Sequence, residues 1–172
     1  MSKSKLREEV YDLVYAKHKP ELAVLRLNRI LREQPENTQA LSLRAYALSK
    51  LANLIKDWDY SRSALAAAEK AQELSPLNDI ALTSKGWALI DLGRASESIP
   101  YLIRATTANP RNEYAWFNLA WAQYLIGNFT ESSASITNAL ELNPNNAIIR
   151  RGKQLMKSAR LPTHLRRKSS SR

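Results

Sequence analysis

The feature that most limits this chain is that it repeats itself. Four prolines sit in phrases of one kind: Glu33-Gln34-Pro35-Glu36-Asn37, Leu74-Ser75-Pro76-Leu77-Asn78, Ala108-Asn109-Pro110-Arg111-Asn112 and Leu142-Asn143-Pro144-Asn145-Asn146. The prolines are 41, 34 and 34 residues apart, and the units 79–112 and 113–146 align without a gap. A period of this length marks a supersecondary unit that cannot bury its apolar face alone and is stabilised by stacking on copies of itself. Each proline follows an apolar, helix-compatible stretch and precedes a polar residue able to start another helix.

Two amphipathic helices are legible inside each of the last two units. In 113–146 a helix over 114–126 stops at Gly127-Asn128, and a second over about 130–142 runs to the proline turn. In 79–112 the corresponding helices are 80–92, stopping at Gly93, and about 95–108. Glycine after the last periodic residue is a helix-stop signal. Small residues recur where paired helices must approach to about 8–10 Å: Gly86 and Ala120 in the first helices, then Ser98 and Ser132, and Ala105 and Ala139, in the second.

A 34-residue helix–turn–helix unit with this pattern resembles the tetratricopeptide repeat (TPR). The family places a large apolar residue fourth, small residues eighth and twentieth, a large residue twenty-fourth, Ala twenty-seventh and Pro thirty-second. Unit 113–146 supplies Trp116, Ala120, Ser132, Ile136, Ala139 and Pro144. Unit 79–112 supplies Leu82, Gly86, Ser98, Leu102, Ala105 and Pro110. Unit 38–78 supplies Leu41, Ala45, Ala64, Ala68, Ala71 and Pro76 once about seven extra residues near 52–58 are set between its helices; that insertion either lengthens the first helix or forms a protruding loop. In the opening unit, about 4–37, Ala23, Leu27, Ile30 and Pro35 fit the second helix, while Arg7 falls where a large apolar residue is expected. Leu6, Val10, Leu13 and Val14 still form a helical stripe, which predicts a helix over 4–17. The resemblance implies an all-α fold, a right-handed superhelix of about four repeats.

A repeat stack ends on an apolar face that needs a polar-backed cap. Ile148, Ile149, Gly152, Leu155, Met156 and Ala159 fall on one helical face, with Arg150, Arg151, Lys153, Lys157 and Arg160 on the rest, so 147–161 is predicted to be that cap. The TPR domain is thus expected to cover 1–161. Residues 162–172 show no apolar periodicity and are expected to be a disordered basic tail.

Composition enters as exclusion. There is no Cys, which removes disulfides, thiolate metal sites and a cysteine nucleophile, and two His leave little for an imidazole site. Four Gly in 172 residues argue against phosphate-cradling loops and tight hairpins. No nucleotide, metalloprotease or serine-hydrolase motif occurs. The chain is therefore expected to be no enzyme and to carry no cofactor or metal. The charged start, Met1 to Glu9, has no apolar core of a secretory leader, so a cytoplasmic location is expected.

The net charge of +10 is uneven: of 26 Lys+Arg, nine lie in 142–172, which holds no Asp or Glu. A near-neutral body with a basic end reads as an interaction tail. Arg150, Arg151, Lys153, Lys157, Arg160, Arg166, Arg167 and Lys168 would carry binding to nucleic acid or an anionic surface, or else only keep the segment solvated.

In TPR stacks the first helices line the concave face, and the resemblance implies that their second, fifth, ninth and twelfth positions point into the groove. These read Ile80, Thr83, Trp87 and Ile90, then Tyr114, Phe117, Trp121 and Tyr124; the preceding unit adds Tyr46. Such rings are strong binding anchors. Two readings are open: a polypeptide partner with hydrophobic anchors covers them, or the cap helix or tail does. Self-association through the groove is a further option. The co-chaperone subclass of TPR domains holds a carboxylate with Lys and Asn at the fifth, sixth and ninth positions; Ser42, Leu43, Tyr46, Thr83, Ser84 and Trp87 stand there instead, with Asn118 alone similar in kind, which argues against such a clamp. The function expected is protein–protein interaction, as adaptor, assembly factor or chaperone.

Overall fold

The computed structural model describes residues 3–159, and side chains over 5–158. All regular structure among them is helical: α1 (Lys3–Tyr11), a π-helical turn (Asp12–Ala16), α2 (Pro20–Glu33), α3 (Thr38–Ile55), α4 (Trp58–Leu74), α5 (Asp79–Asp91), α6 (Ala95–Ala108), α7 (Glu113–Leu125), α8 (Phe129–Leu142) and α9 (Ala147–Ala159). Arg160, Arg166, Arg167, Lys168 and the expected tail lie outside the described residues.

The proline phrases build four copies of one turn. The asparagine two residues after each proline returns its amide to the residue three before it: Asn37 to Gln34, Asn78 to Ser75, Asn112 to Asn109 and Asn146 to Asn143, at 3.1–3.2 Å. Its side-chain oxygen then accepts the exposed amides at the start of the helix that follows: Ala40 for Asn37, Ala81 for Asn78, Tyr114 and Ala115 for Asn112, and Ile148 and Ile149 for Asn146. Between α5 and α6, and between α7 and α8, Gly93 and Gly127 adopt φ of +75° and +86°. There Arg94 N–H reaches Leu89 O and Asn128 N–H reaches Gln123 O, each at 2.8 Å, closing a Schellman motif.

Helices pair as hairpins, α3 with α4, α5 with α6 and α7 with α8, and each hairpin stacks on the next through α4–α5 and α6–α7. The first helices α3, α5 and α7 also touch one another in series, whereas α4, α6 and α8 do not to a comparable extent. The first helices therefore form the inner, concave row. Small residues permit the pairing: a Cβ at Gly86 would lie 2.5 Å from Leu102 Cγ. At the equivalent place in the next unit Ser132 Oγ donates to Ala120 O at 2.8 Å, so the close approach there is also a polar tie.

Three details refine the sequence reading. The extra residues of unit 38–78 lengthen both helices, to 18 residues in α3 and 17 in α4 against 13 and 14 in the next unit, leaving only Lys56 and Asp57 between them. The predicted helix over 4–17 is α-helical only to Tyr11; its last turn widens, with Lys17 N–H bonding Asp12 O at 3.0 Å. Apolar spacing cannot show this, because the stripe Leu6, Val10, Val14 is buried either way. Finally, α9 caps the stack through Ile149 and Met156, which join Phe117, Ala120 and Ile136 in one cluster.

Adjacent units are also tied by polar contacts. Asn109 and Asn112 both donate to Asp79 Oδ2, at 2.8 and 3.0 Å, and Asn112 also reaches Thr83 Oγ1. Asn112→Ala removes a helix cap and this tie, and is expected to lower stability by about 1–3 kcal/mol in urea unfolding, while Asn145→Ala in the exposed part of the last turn changes it by less than about 0.5 kcal/mol. Equal effects of the two would contradict the role given to Asn112.

Candidate functional site on the concave face

The concave row brings the predicted stripe together but does not leave it open. Tyr46, Thr83, Ile90 and Phe117 are buried; Ile80, Trp87, Tyr114, Trp121 and Tyr124 are half-buried. Each has a local cause. Phe117 lies under α9, where a Cβ on Gly152 would come within 2.5 Å of its ring. Thr83 Oγ1 donates to Asp79 O at 2.6 Å and belongs to the inter-unit tie. Ile90 packs with Leu102, Leu119 and Ala122 between units. Trp121 stands 5.8 Å from Tyr124, and Tyr124 5.7 Å from Phe129, extending the rings toward the α7–α8 tip.

Tyr46 is covered by groups the sequence reading did not single out. Tyr11 and Tyr15, one helical turn apart on α1 and its π-helical turn, set their rings 5.1 and 6.1 Å from that of Tyr46. Tyr15 also stacks on Tyr114, with centroids 5.7 Å apart and planes 14° apart. In the middle is Lys50, whose ammonium lies 5.3–6.0 Å from the ring centroids of Tyr15, Tyr46, Trp87 and Tyr114. The available signals were Tyr11 and Tyr15 at a four-residue spacing beside the apolar stripe, and Lys50 four residues, about one helical turn, after Tyr46.

The electrostatics follow from this enclosure. Burial pushes Lys50 down to about 8, with Asp91 partly opposing it. The ring faces return some of the lost hydration as cation–π attraction. Burial likewise pushes Asp91 up to about 6, against the Ser61 hydroxyl and the charges of Lys56 and Lys50. The phenols of Tyr15 and Tyr46 are raised above their ordinary value, first by burial. No group of three or more His, Asp or Glu able to hold a metal occurs among the described residues.

The basic residues of α9 sit apart from this cluster. Arg150, Arg151 and Lys157 are exposed and Lys153 is half-buried. Lys153 and Lys157 border a small cavity of about 110 Å³ floored by Tyr124, Phe129, Ile136 and Met156.

Comparison with known proteins agrees with this architecture. Residues 83–147 match the family model described as tetratricopeptide repeat. Among similar solved structures is TTC0263, a thermophilic TPR protein of Thermus thermophilus: TM-score 0.71, 17% identity, covering 90% of this chain and 81% of that one. MamA (41-end) of Desulfovibrio magneticus RS-1 gives a TM-score of 0.62 at 19% identity, with 90% and 82% covered. The first TPR of Spaghetti (RPAP3), bound to the HSP90 peptide SRMEEVD, gives 0.55 at 19% identity, with 69% and 94% covered. No curated protein sequence matches the chain. Residues 83–147 thus match the tetratricopeptide repeat, and the described residues share the all-α solenoid fold of these structures.

Lys50 gives a pH test. Its folded value lies below that of an unfolded lysine, so its burial costs stability below about pH 8, and the cost fades as pH rises toward the ordinary lysine range. Lys50→Met is expected to raise the melting temperature most at pH 7 and progressively less between pH 8 and 10, read by thermal unfolding of both proteins across pH. A difference independent of pH would contradict the assignment.

Proposed function

We propose that this protein is a non-enzymatic interaction module, an adaptor, assembly factor or chaperone, that receives a polypeptide with hydrophobic anchors on its concave face. The observation that carries the reading is the convergence of half-buried rings, Trp87, Tyr114, Trp121 and Tyr124, on one row of helices. Half-buried aromatics beside a deep apolar cluster gain area on binding without needing a new core, and such rings dominate interface energies. The groove-facing fifth, sixth and ninth positions offer no ring of Lys and Asn for a terminal carboxylate: Ser42, Thr83, Ser84 and Asn118 are themselves buried. Apolar anchors are the chemistry that fits.

Affinity capture followed by mass spectrometry tests this, with wild type beside the Trp87→Ala, Trp121→Ala double variant. The expected result is loss of the captured proteins by a variant whose helical circular dichroism is retained. Undiminished capture by the folded double variant would reject the groove.

A further inference from the structure

Helix α1 does not behave as the first half of a hairpin. The pairings α3–α4, α5–α6 and α7–α8 are extensive, whereas α1 touches α3 and leaves most contact with α2 to its π-helical turn. Its ring contacts also break the rule of a repeat stack, in which each unit meets only its neighbours. Tyr15 belongs to the opening unit, yet it stacks on Tyr114, the second residue of the fourth unit's first helix. Tyr11 feels the carboxylates of Asp79 and Glu113, at the starts of α5 and α7. Leu6 and Arg7 border the same cleft as Asn78 and Ile80. The segment thus lies along the concave row and is seated as a ligand would be.

The seat encloses polar groups as well as rings. The Tyr15 hydroxyl lies with those of Tyr46 and Tyr114, the Trp87 indole N–H faces Asp91, and the Lys50 ammonium is desolvated among the rings. Enclosing a cation costs free energy that any occupant of the seat has to offset.

We propose that α1 with its π-helical turn is a resident, displaceable occupant of the groove. The partner surface beneath it is a cradle of Tyr46, Trp87, Tyr114 and Lys50 that takes an amphipathic helix of the same chemistry: two aromatic side chains four residues apart, as in Tyr11 and Tyr15, beside an apolar stripe like Leu6, Val10 and Val14. The inference rests on the concave-face reading above and names its ligand class. An internal occupant lowers the apparent affinity of any competitor by the fraction of time the groove is open.

The probe is a fluorescent synthetic peptide of residues 3–18, titrated by anisotropy into the full chain and into the full chain carrying Tyr11→Ala and Tyr15→Ala. The variant is expected to bind at least about tenfold tighter than wild type, and Tyr114→Ala added to it is expected to abolish the gain. Binding to neither protein, or equal binding to both, would overturn the proposal. Should the double variant not fold, hydrogen exchange on the wild-type chain decides. Saturating peptide is expected to strip protection from the α1 amides while α3 and α7 keep theirs; unchanged α1 protection would overturn it. Neither readout uses a cellular partner, so a negative result with intact partner capture removes the resident helix and leaves the groove standing.

Discussion

The structure depends on one side chain used four times. The asparagine after each proline turns the chain, caps the next helix and fixes where that helix begins. Because the turn is the same in each copy, the first helices start in register and form the inner row. Asn109 and Asn112 then bind the start of α7 to the carboxylate at the start of α5, which sets how far one unit turns against the next. A negative Asp79 in the first turn of α5 is also well placed against the helix dipole, so the tie costs little to hold in place.

From that register the concave face follows. Positions separated by three, four and three residues share a stripe, and stacking sets stripe beside stripe. The rings so gathered form two groups, Tyr11, Tyr15, Tyr46 and Tyr114 in one and Trp121, Tyr124 and Phe129 in the other, with a lysine among the first. Lys50 keeps the first group from being a simple core: its charge is held among ring faces, and no described residue makes an ion pair with it. Any segment that covers these rings must accommodate a cation.

Much of the fold was legible because it is periodic. The 34-residue spacing, the glycine stops at Gly93 and Gly127 and the small residues Gly86, Ala105, Ala120 and Ala139 each correspond to one physical requirement, and the helices lie within a residue or two of where those signals place them. The cap helix was legible for the same reason. What periodicity cannot carry is contact between units far apart in the chain. Tyr15 meeting Tyr114 depends on the accumulated turn of three hairpins, to which no local pattern points. No sequence pattern separates a lysine enclosed among rings, as Lys50 is, from one in solvent. Phe117 shares the spacing of Trp121, yet Gly152 lets α9 close over the one and not the other. Its depth is set by a residue 35 positions away in sequence.

The N-terminal rings close over the concave face around Lys50, and nuclear magnetic resonance reads this directly. Ring centroids 5.7 Å apart predict nuclear Overhauser contacts between the aromatic protons of Tyr15 and Tyr114, and the Lys50 side-chain methylenes next to the ammonium are expected to be shifted upfield by the surrounding rings. Random-coil shifts for Lys50 and no contact between the two tyrosines would contradict the account.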